Sequence, residues 1–428
     1  MIYAAIVEGS RAAAAADRIA PFALMLWAAG NVLAEPLAQA GAYALAIAVL
    51  LRLPRLMADR EVRRFCTAAI ALAAWQALSP ALALWTGAAA GWPRSGRYGQ
   101  FFDTVTPALA ALGAADAPWL ALAGIIAVGW ALSVALGLFQ HFVRWPFAQP
   151  AWFRTPVDRV RESFSVSGPP RYGAGGFLFH RLRFAHGAVA TLGPALAVAF
   201  RSRRGAIAVA ALGTGAALIV ATYISYARAA LIVALFLIAV SLIALGRGVT
   251  RFGGAVVLAA IAVAVLSSPD WRSRLVRGEA NLFSGEERRL SVEVGWELAK
   301  RHPILGVGFG NYQEAAWATR QETSVTPLLS IDAHNLWLTA WAETGLVGLL
   351  LTAAYHALLL QALLRRFRSG SWIAAGALLS FGGFHLLSLV HYLQHHTGVY
   401  LSFALAWGLG LAPVASTGSA RLGLTAGA

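Results

Sequence analysis

Apolar runs of 15 to 25 residues recur along this chain, separated by short clusters of arginine, and one long polar stretch, 285–348, interrupts the rhythm. A helix that crosses a bilayer needs about 20 mostly apolar residues, fewer where it tilts or the bilayer thins. On that measure the pattern predicts spans near 20–35, 37–53, 65–86, 118–143, 177–200, 205–223, 226–246, 250–268, 334–363, 371–391 and 395–412. Asn31, Glu35 and Pro36 crowd the turn between the first two. The expected fold class is all-α, a polytopic membrane protein.

The arginine clusters at 52–64, 201–204, 247–251 and 365–368 should face the cytoplasm, because positive charge is retained on that side. Counting crossings between the first two clusters leaves one too few. The segment 101–115, FFDTVTPALAALGAA, supplies the extra crossing if it is tilted or half irregular, giving about twelve with both ends cytoplasmic. The same count puts 87–100, 144–176, the turn 223–229, the long loop 269–333 and the histidines of 391–396 together on the outer side. The divisions that follow are N-terminal helices and loops over 1–176, central helices over 177–268, an external loop domain over 269–333, C-terminal helices over 334–412 and a cytoplasmic tail over 413–428.

Charge of the density found in 285–348 must lie outside the hydrocarbon, where each buried charge would cost several kcal/mol. Within it, Leu290, Val294 and Leu298 recur at i, i+4 and i+8, which predicts an amphipathic helix over 286–301 ended by Pro303 and the glycines after it. The polar stretch meets the next apolar run at Ala333-His334-Asn335, so these residues sit at a membrane boundary.

Composition sharpens this picture. Hydrophobic residues make up 59% and charged residues 12%, about half the charge of a soluble domain. The 34 Lys+Arg against 19 Asp+Glu raise nucleic-acid binding as a reading, but their placement in short clusters between apolar runs is that of orienting loops. A single cysteine, Cys66, excludes an internal disulfide and a cysteine-based zinc cluster. The N-terminus has no basic region directly before an apolar core and is expected to be retained on the cytoplasmic side. No internal repeat is visible.

Several polar residues at the expected outer boundary carry candidate chemistry. Arg228 lies where one helix leaves the membrane and the next enters, beside Ser225 and Tyr226; its guanidinium can hold two phosphate oxygens, or it can simply snorkel to water. Arg288 and Arg289 begin the loop helix, where cations oppose the helix dipole unless an anion binds there or Glu286, Glu287 or Glu293 pairs with them. His334, expected in the first turn of its helix, can accept or pass on a proton near neutral pH, with Asp332 to orient it and Asn335 beside it. Glu343, about 13 Å further along the same helix, reads as a buried network residue. Gly306, Gly308 and Gly310 suit a tight return of the loop better than a nucleotide site, since they follow no strand. His391, His395 and His396 have a spacing that could hold a metal, although contact with phosphate or sugar is the favoured role.

In order and spacing, Ser225-Tyr226-Ala227-Arg228-Ala229-Ala230, Arg288, His302-Pro303-Ile304-Leu305-Gly306-Val307-Gly308-Phe309-Gly310-Asn311-Tyr312, His334-Asn335 and Glu343-Thr344-Gly345-Leu346-Val347-Gly348 together resemble the O-antigen ligase and Wzy-type polysaccharide polymerase superfamily over roughly residues 175 to 412. The turn at 225–230 departs from the family's Ser-Arg-Gly by an interposed Tyr-Ala. The segment 176–187 lacks the Pro and Asn of a Gly-x-Phe-x-Pro-Asn pattern, which leaves the roles of His180, Arg183 and His186 open. The resemblance implies a GT-C-like, metal-independent, inverting glycosyltransferase of the bacterial inner membrane that needs no cofactor. Its donor would be a glycan on undecaprenyl diphosphate with the tail among membrane lipids, and its acceptor lipid A-core or a growing glycan. Arg228 and Arg288 would grip the diphosphate and His334 would take the acceptor proton, with Asp332, Asn335, Arg289 and Glu343 in support. Ligation, polymerisation and protein O-glycosylation remain alternatives. A reading of another class is a transporter whose path is lined by Glu343, His356 and His385.

Overall fold

The computed structural model of the protein describes residues 11–51, 59–93, 95–114, 117–144, 163–166, 168–246, 248–276, 282–322 and 332–412. The tail 413–428, Arg52 and Arg55 of the first arginine cluster, Arg247 and most of 144–176 lie outside the described residues, as do the side chains of Glu286 and Glu287. Among the described residues every regular element is helical, with one isolated antiparallel bridge between Ser163 and Tyr172.

The helices follow the apolar runs. They are α1 (Arg11–Leu33), α2 (Glu35–Leu50), α3 (Arg60–Trp85), α4 (Thr106–Gly113), α5 (Trp119–Phe142), α6 (Arg181–Arg201), α7 (Gly205–Ile224), α8 (Arg228–Ala244), α9 (Val249–Ser267), α10 (Pro269–Val276), α11 (Leu282–Arg301), α12 (Tyr312–Glu322), α13 (Leu336–Arg368), α14 (Trp372–Leu387) and α15 (Thr397–Leu411). Pro36 enters at the first turn of α2, where its missing N–H costs nothing, after Ala34 breaks the chain into an extended conformation. Asp59 caps α3 by accepting from the backbone N–H groups of Glu61 and Val62 at 3.0 and 3.1 Å. The irregular segment expected at 101–115 is a 3-10 stretch, Gly99–Val105, running into the fully buried α4.

Among the described residues five helices, α3, α5, α6, α7 and α13, are long and apolar enough to cross a membrane, or six spans if α9 and α10, bent by 86°, are counted as one. The chain is thus a multi-pass membrane protein. Helix length alone supports fewer crossings than the twelve expected, because α2, α8, α14 and α15 are apolar but only 15 to 17 residues long.

Contacts sort the connections into two sets. In one, Asn311 donates to Gly91 O at 3.4 Å, Val166 N to Asp270 at 2.8 Å, Ala174 N to Ile224 O at 3.0 Å and Gln100 to His395 O at 3.0 Å. These join the segments that the crossing count expects on the outer side. In the other, Asp59 pairs with Arg366, Glu61 pairs with Arg365, and the Arg201 guanidinium lies 3.8 Å over Trp372. Those are the arginine-rich connections.

The loop domain has more helix than hydropathy predicts. Leu298 is buried on the inner face of α11, with Val294 packed beside it, against Val307, Tyr312, Ala316, Ala333 and Ala342. This bears out the amphipathic face. Helices α10 and α12 were not expected. Both are too short and polar to register as apolar runs, although Ser268-Pro269-Asp270 before Trp271 is a helix-start signature and the Ser268 hydroxyl does accept from Trp271 N at 3.4 Å.

Candidate functional site

Three helices begin where the segments expected on the outer side meet, and each start is preceded by a strained residue. Phe179, Tyr226 and His334 are the non-glycine residues at positive φ (48°, 54° and 53°) among those described. They stand just ahead of α6, α8 and α13. An L-residue is held there only when its surroundings over-determine the backbone, which is common at functional sites.

The turn between α7 and α8 is built by its own side chains. The Ser225 hydroxyl donates to Thr222 O at 2.8 Å and accepts from Ala227 N at 3.2 Å, so Tyr226 is forced into the left-handed region. Tyr226 then stacks on Trp271 of α10, ring centroids 5.5 Å apart, and on Phe164 at 4.9 Å. Arg228 becomes the first residue of α8, and its Nη1 donates to the Arg274 carbonyl of α10 at 2.9 Å.

Arg228 lines a small cavity of about 40 Å3 that is partly open to solvent. Its other charged or titratable walls are Arg181, His186, Arg274, Arg288 and His391. The structure therefore brings together Arg228 and Arg288, which are far apart in sequence. Arg181 is the first residue of α6, as Arg228 is of α8. Two cations at two helix N-termini, with no acidic side chain among the described residues lining the cavity, make a concentrated positive field. The guanidiniums of Arg181 and Arg274 also lie 5.0 and 4.4 Å over the Phe164 ring, which holds them in place.

His334 is adjacent. Its ring centroid is 6.4 Å from that of His391, which in turn is 4.8 Å from His186. It precedes the helix instead of occupying the first turn as expected, because Asn335 is the N-cap and accepts from the N–H groups of Trp337 and Leu338 at 3.0 and 3.1 Å. The buried Asp332 carboxylate accepts from His334 N at 2.7 Å and lies 3.5 Å from Nδ1, so it orients both backbone and ring. Helix α11 passes so close behind that a Cβ on Gly295 would lie 2.8 Å from that of Ala333. Burial first, then the positive surroundings of His186, Arg288, His334 and His396, hold the His391 imidazole well below its ordinary range.

The other expected residues take different places. Arg289 pairs with Glu293 at 3.2 Å on the exposed side of α11 and does not line the cavity. Glu343 is fully buried, yet it does not face lipid. The helix expected to run on unbroken past it is interrupted at Gly345 (φ 65°, ψ −171°), and the 303–312 limb docks at the break. Val307 N and Gly308 N donate to the carbonyls of Ala342 and Glu343 at 3.0 and 2.7 Å, and Leu346 N donates to Pro303 O at 2.8 Å. The Glu343 carboxylate accepts from Gly310 N and Tyr312 N at 3.2 and 3.3 Å, and its second oxygen is 3.5 Å from His395 Nε2. Of the open trio in 176–187, His180 caps α6 by accepting from Arg183 N at 3.3 Å, Arg183 pairs with Glu35, and His186 reaches the cavity. His356 and His385 sit 4.8 Å apart, ring to ring, among Trp337, Phe381, Phe384 and Trp407, away from the loop that holds Glu343.

Arg181 and Arg274 escaped the sequence reading. Arg181 looks like an ordinary boundary residue before an apolar run, and Arg274 sits on the unrecognised α10. No curated protein matches the chain. Residues 213–353, which carry Arg228, Arg288, His334 and Glu343, match the family model described as O-antigen ligase.

Proposed function

We propose that the protein transfers a glycan from undecaprenyl diphosphate to an acceptor hydroxyl at the outer face of the bacterial inner membrane, as an O-antigen ligase. The observation that carries this reading is the shared cavity of Arg228 and Arg288 beside His391 and His334. Guanidiniums in that number suit the two phosphates of a polyprenyl diphosphate and stabilise the negative charge that develops as it departs. His334 Nε2, with Nδ1 turned toward Asp332, takes the proton from the acceptor hydroxyl. The hydroxyl oxygen attacks the anomeric carbon from the face opposite the diphosphate, the C–O bond to phosphate breaks, and configuration inverts. The arginines supply the positive charge that a metal would otherwise provide.

Lipid A-core is the acceptor this reading favours; a growing glycan or a protein hydroxyl would use the same donor and the same residues. The test is reconstitution of the full-length protein in proteoliposomes with a lipid-linked glycan and candidate acceptors. Release of undecaprenyl diphosphate coupled to glycosylated acceptor is expected, unchanged by EDTA and lost in His334→Ala. Turnover retained in that variant would remove the imidazole from its role, and passage of solute without diphosphate release would reject glycan transfer altogether.

A further inference from the structure

A second cavity of about 530 Å3 lies between the 87–92 turn that follows α3 and the paired helices α11 and α12. That size is within the range of ligand sites. Its chemistry contrasts with the cationic cavity. One wall is the backbone of Gly87-Ala88-Ala89-Ala90-Gly91, ending in the half-exposed indole of Trp92. The facing wall carries Arg301, His302, Asn311, Glu314 and Thr319.

Hydrogen bonds within and behind the walls fix their relative position, so the space is built in advance. Asn311 Nδ2 donates to Gly91 O and Val307 O, at 3.4 and 3.1 Å, tying the two walls at one end. Phe309 N donates to the Ser79 hydroxyl at 3.0 Å, and Trp92 is steadied edge-on by Tyr98 at 5.1 Å. The N–H groups of Gly87, Ala88 and Ala89 close on Leu84 O and Ala83 O, so one wall is a fixed turn of small residues and the facing wall supplies the polar side chains. A phosphate would call for a uniformly cationic lining, which this cavity lacks. An aromatic plate beside a carboxylate, a guanidinium and an imidazole suits a pyranose ring, which stacks its C–H face and pairs its hydroxyls with planar polar groups.

We propose that this cavity is a saccharide subsite, holding a sugar some units removed from the bond being made. The inference rests on the glycan-transfer reading and deepens it. Its position fits: Arg288 and Leu298 line the two cavities from the same helix, ten residues and so about 15 Å apart, a distance that a few linked pyranoses bridge. The occupant is either the donor's glycan or the acceptor's core oligosaccharide, and kinetics separate the two.

The experiment measures kcat and KM of the full-length protein in proteoliposomes, varying lipid-linked glycan at saturating lipid A-core and the reverse. Trp92→Ala and Glu314→Gln should each raise one KM by about tenfold while kcat holds, because a remote sugar contact binds ground and transition states alike. Trp92→Phe should restore it. A rise confined to the donor KM assigns the subsite to the donor glycan, and one confined to the acceptor KM assigns it to the core. Glu314→Gln, which keeps the side chain's shape, carries the test if Trp92→Ala fails to fold. Both KM values unchanged in variants of a protein that turns over would overturn the subsite and leave glycan transfer standing. A native protein with no turnover would instead overturn the reading beneath it.

Discussion

Arginine is used in opposite ways on the two faces of this protein. On one, Arg365 and Arg366 at the end of α13 pair with Glu61 and Asp59 at the start of α3, and Arg64 shares Glu61 at 3.9 Å. Charge there is neutralised locally, and it orients and anchors the helices. On the other, Arg181, Arg228, Arg274 and Arg288 surround one cavity with two histidines. Gathering like charges costs free energy in the empty protein, a cost that a bound anion offsets. The first pair closes on carboxylates across two helices; the second set lines a shared cavity.

The sharpest way to break that contrast is to truncate one arginine from each set. Arg228→Ala should lower turnover roughly a hundredfold or more, the size of effect seen when one preorganised charge-stabilising donor is lost. Arg366→Ala, on the paired face, should leave turnover within about twofold and cost about 1 kcal/mol of stability or less. Comparable losses of turnover in both would erase the distinction.

Next in size comes the joint between loop and helix. A Cβ at Gly345, where φ is 65°, would lie 2.0 Å from the Ile304 carbonyl oxygen, and one at Gly306 would lie 2.4 Å from the Glu343 carbonyl. Gly345→Ala should therefore destabilise by about 2 to 4 kcal/mol, read as a lower thermal midpoint in detergent with the 303–312 limb newly open to protease. An unshifted midpoint would mean the break is not held by that contact.

The smallest expected effect concerns pH. His391 is kept neutral by burial and by its cationic neighbours. A histidine depressed in the folded state stabilises above its unfolded value, about 6.5, and that stability is lost as the pH falls through this value toward the folded one. Bound diphosphate offsets the cations and raises His391, so pyrophosphate should protect more against thermal unfolding at about pH 5.5 than at about pH 7.5. Equal protection at both would uncouple His391 from the anion.

How far the sequence foretold this arrangement depends on what each residue answers to. Apolar periodicity reports burial over whole helices, so the run of α2 to α9 and α13 to α15 was legible to within about five residues, whereas α1 begins at Arg11, well before the expected start at 20. Arg228 and His334 stood out as polar residues at an apolar boundary, and Arg288 through the resemblance, by its spacing to His302-Pro303. Arg274 was hidden, since its helix is too short and polar for periodicity to reveal. Gly345 was hidden too: a glycine in an apolar run looks like helix until the Ile304 carbonyl that requires it is seen. Arg289 and Arg288 are neighbours on one helix; the resemblance singles out Arg288, and the inner face of α11 places Arg288 on the cavity and Arg289 with Glu293.

The stitching of the 303–312 limb to the break in α13 has a consequence for anyone exchanging parts between relatives. Glu343, Gly345 and the backbone of Gly306 to Tyr312 complete one another's hydrogen bonds, so they form a single cassette although thirty residues separate them in the chain. A chimera that imports the limb without its matching helix segment would strand a carboxylate in the interior. Swaps meant to alter which sugars are accepted should carry both pieces across together.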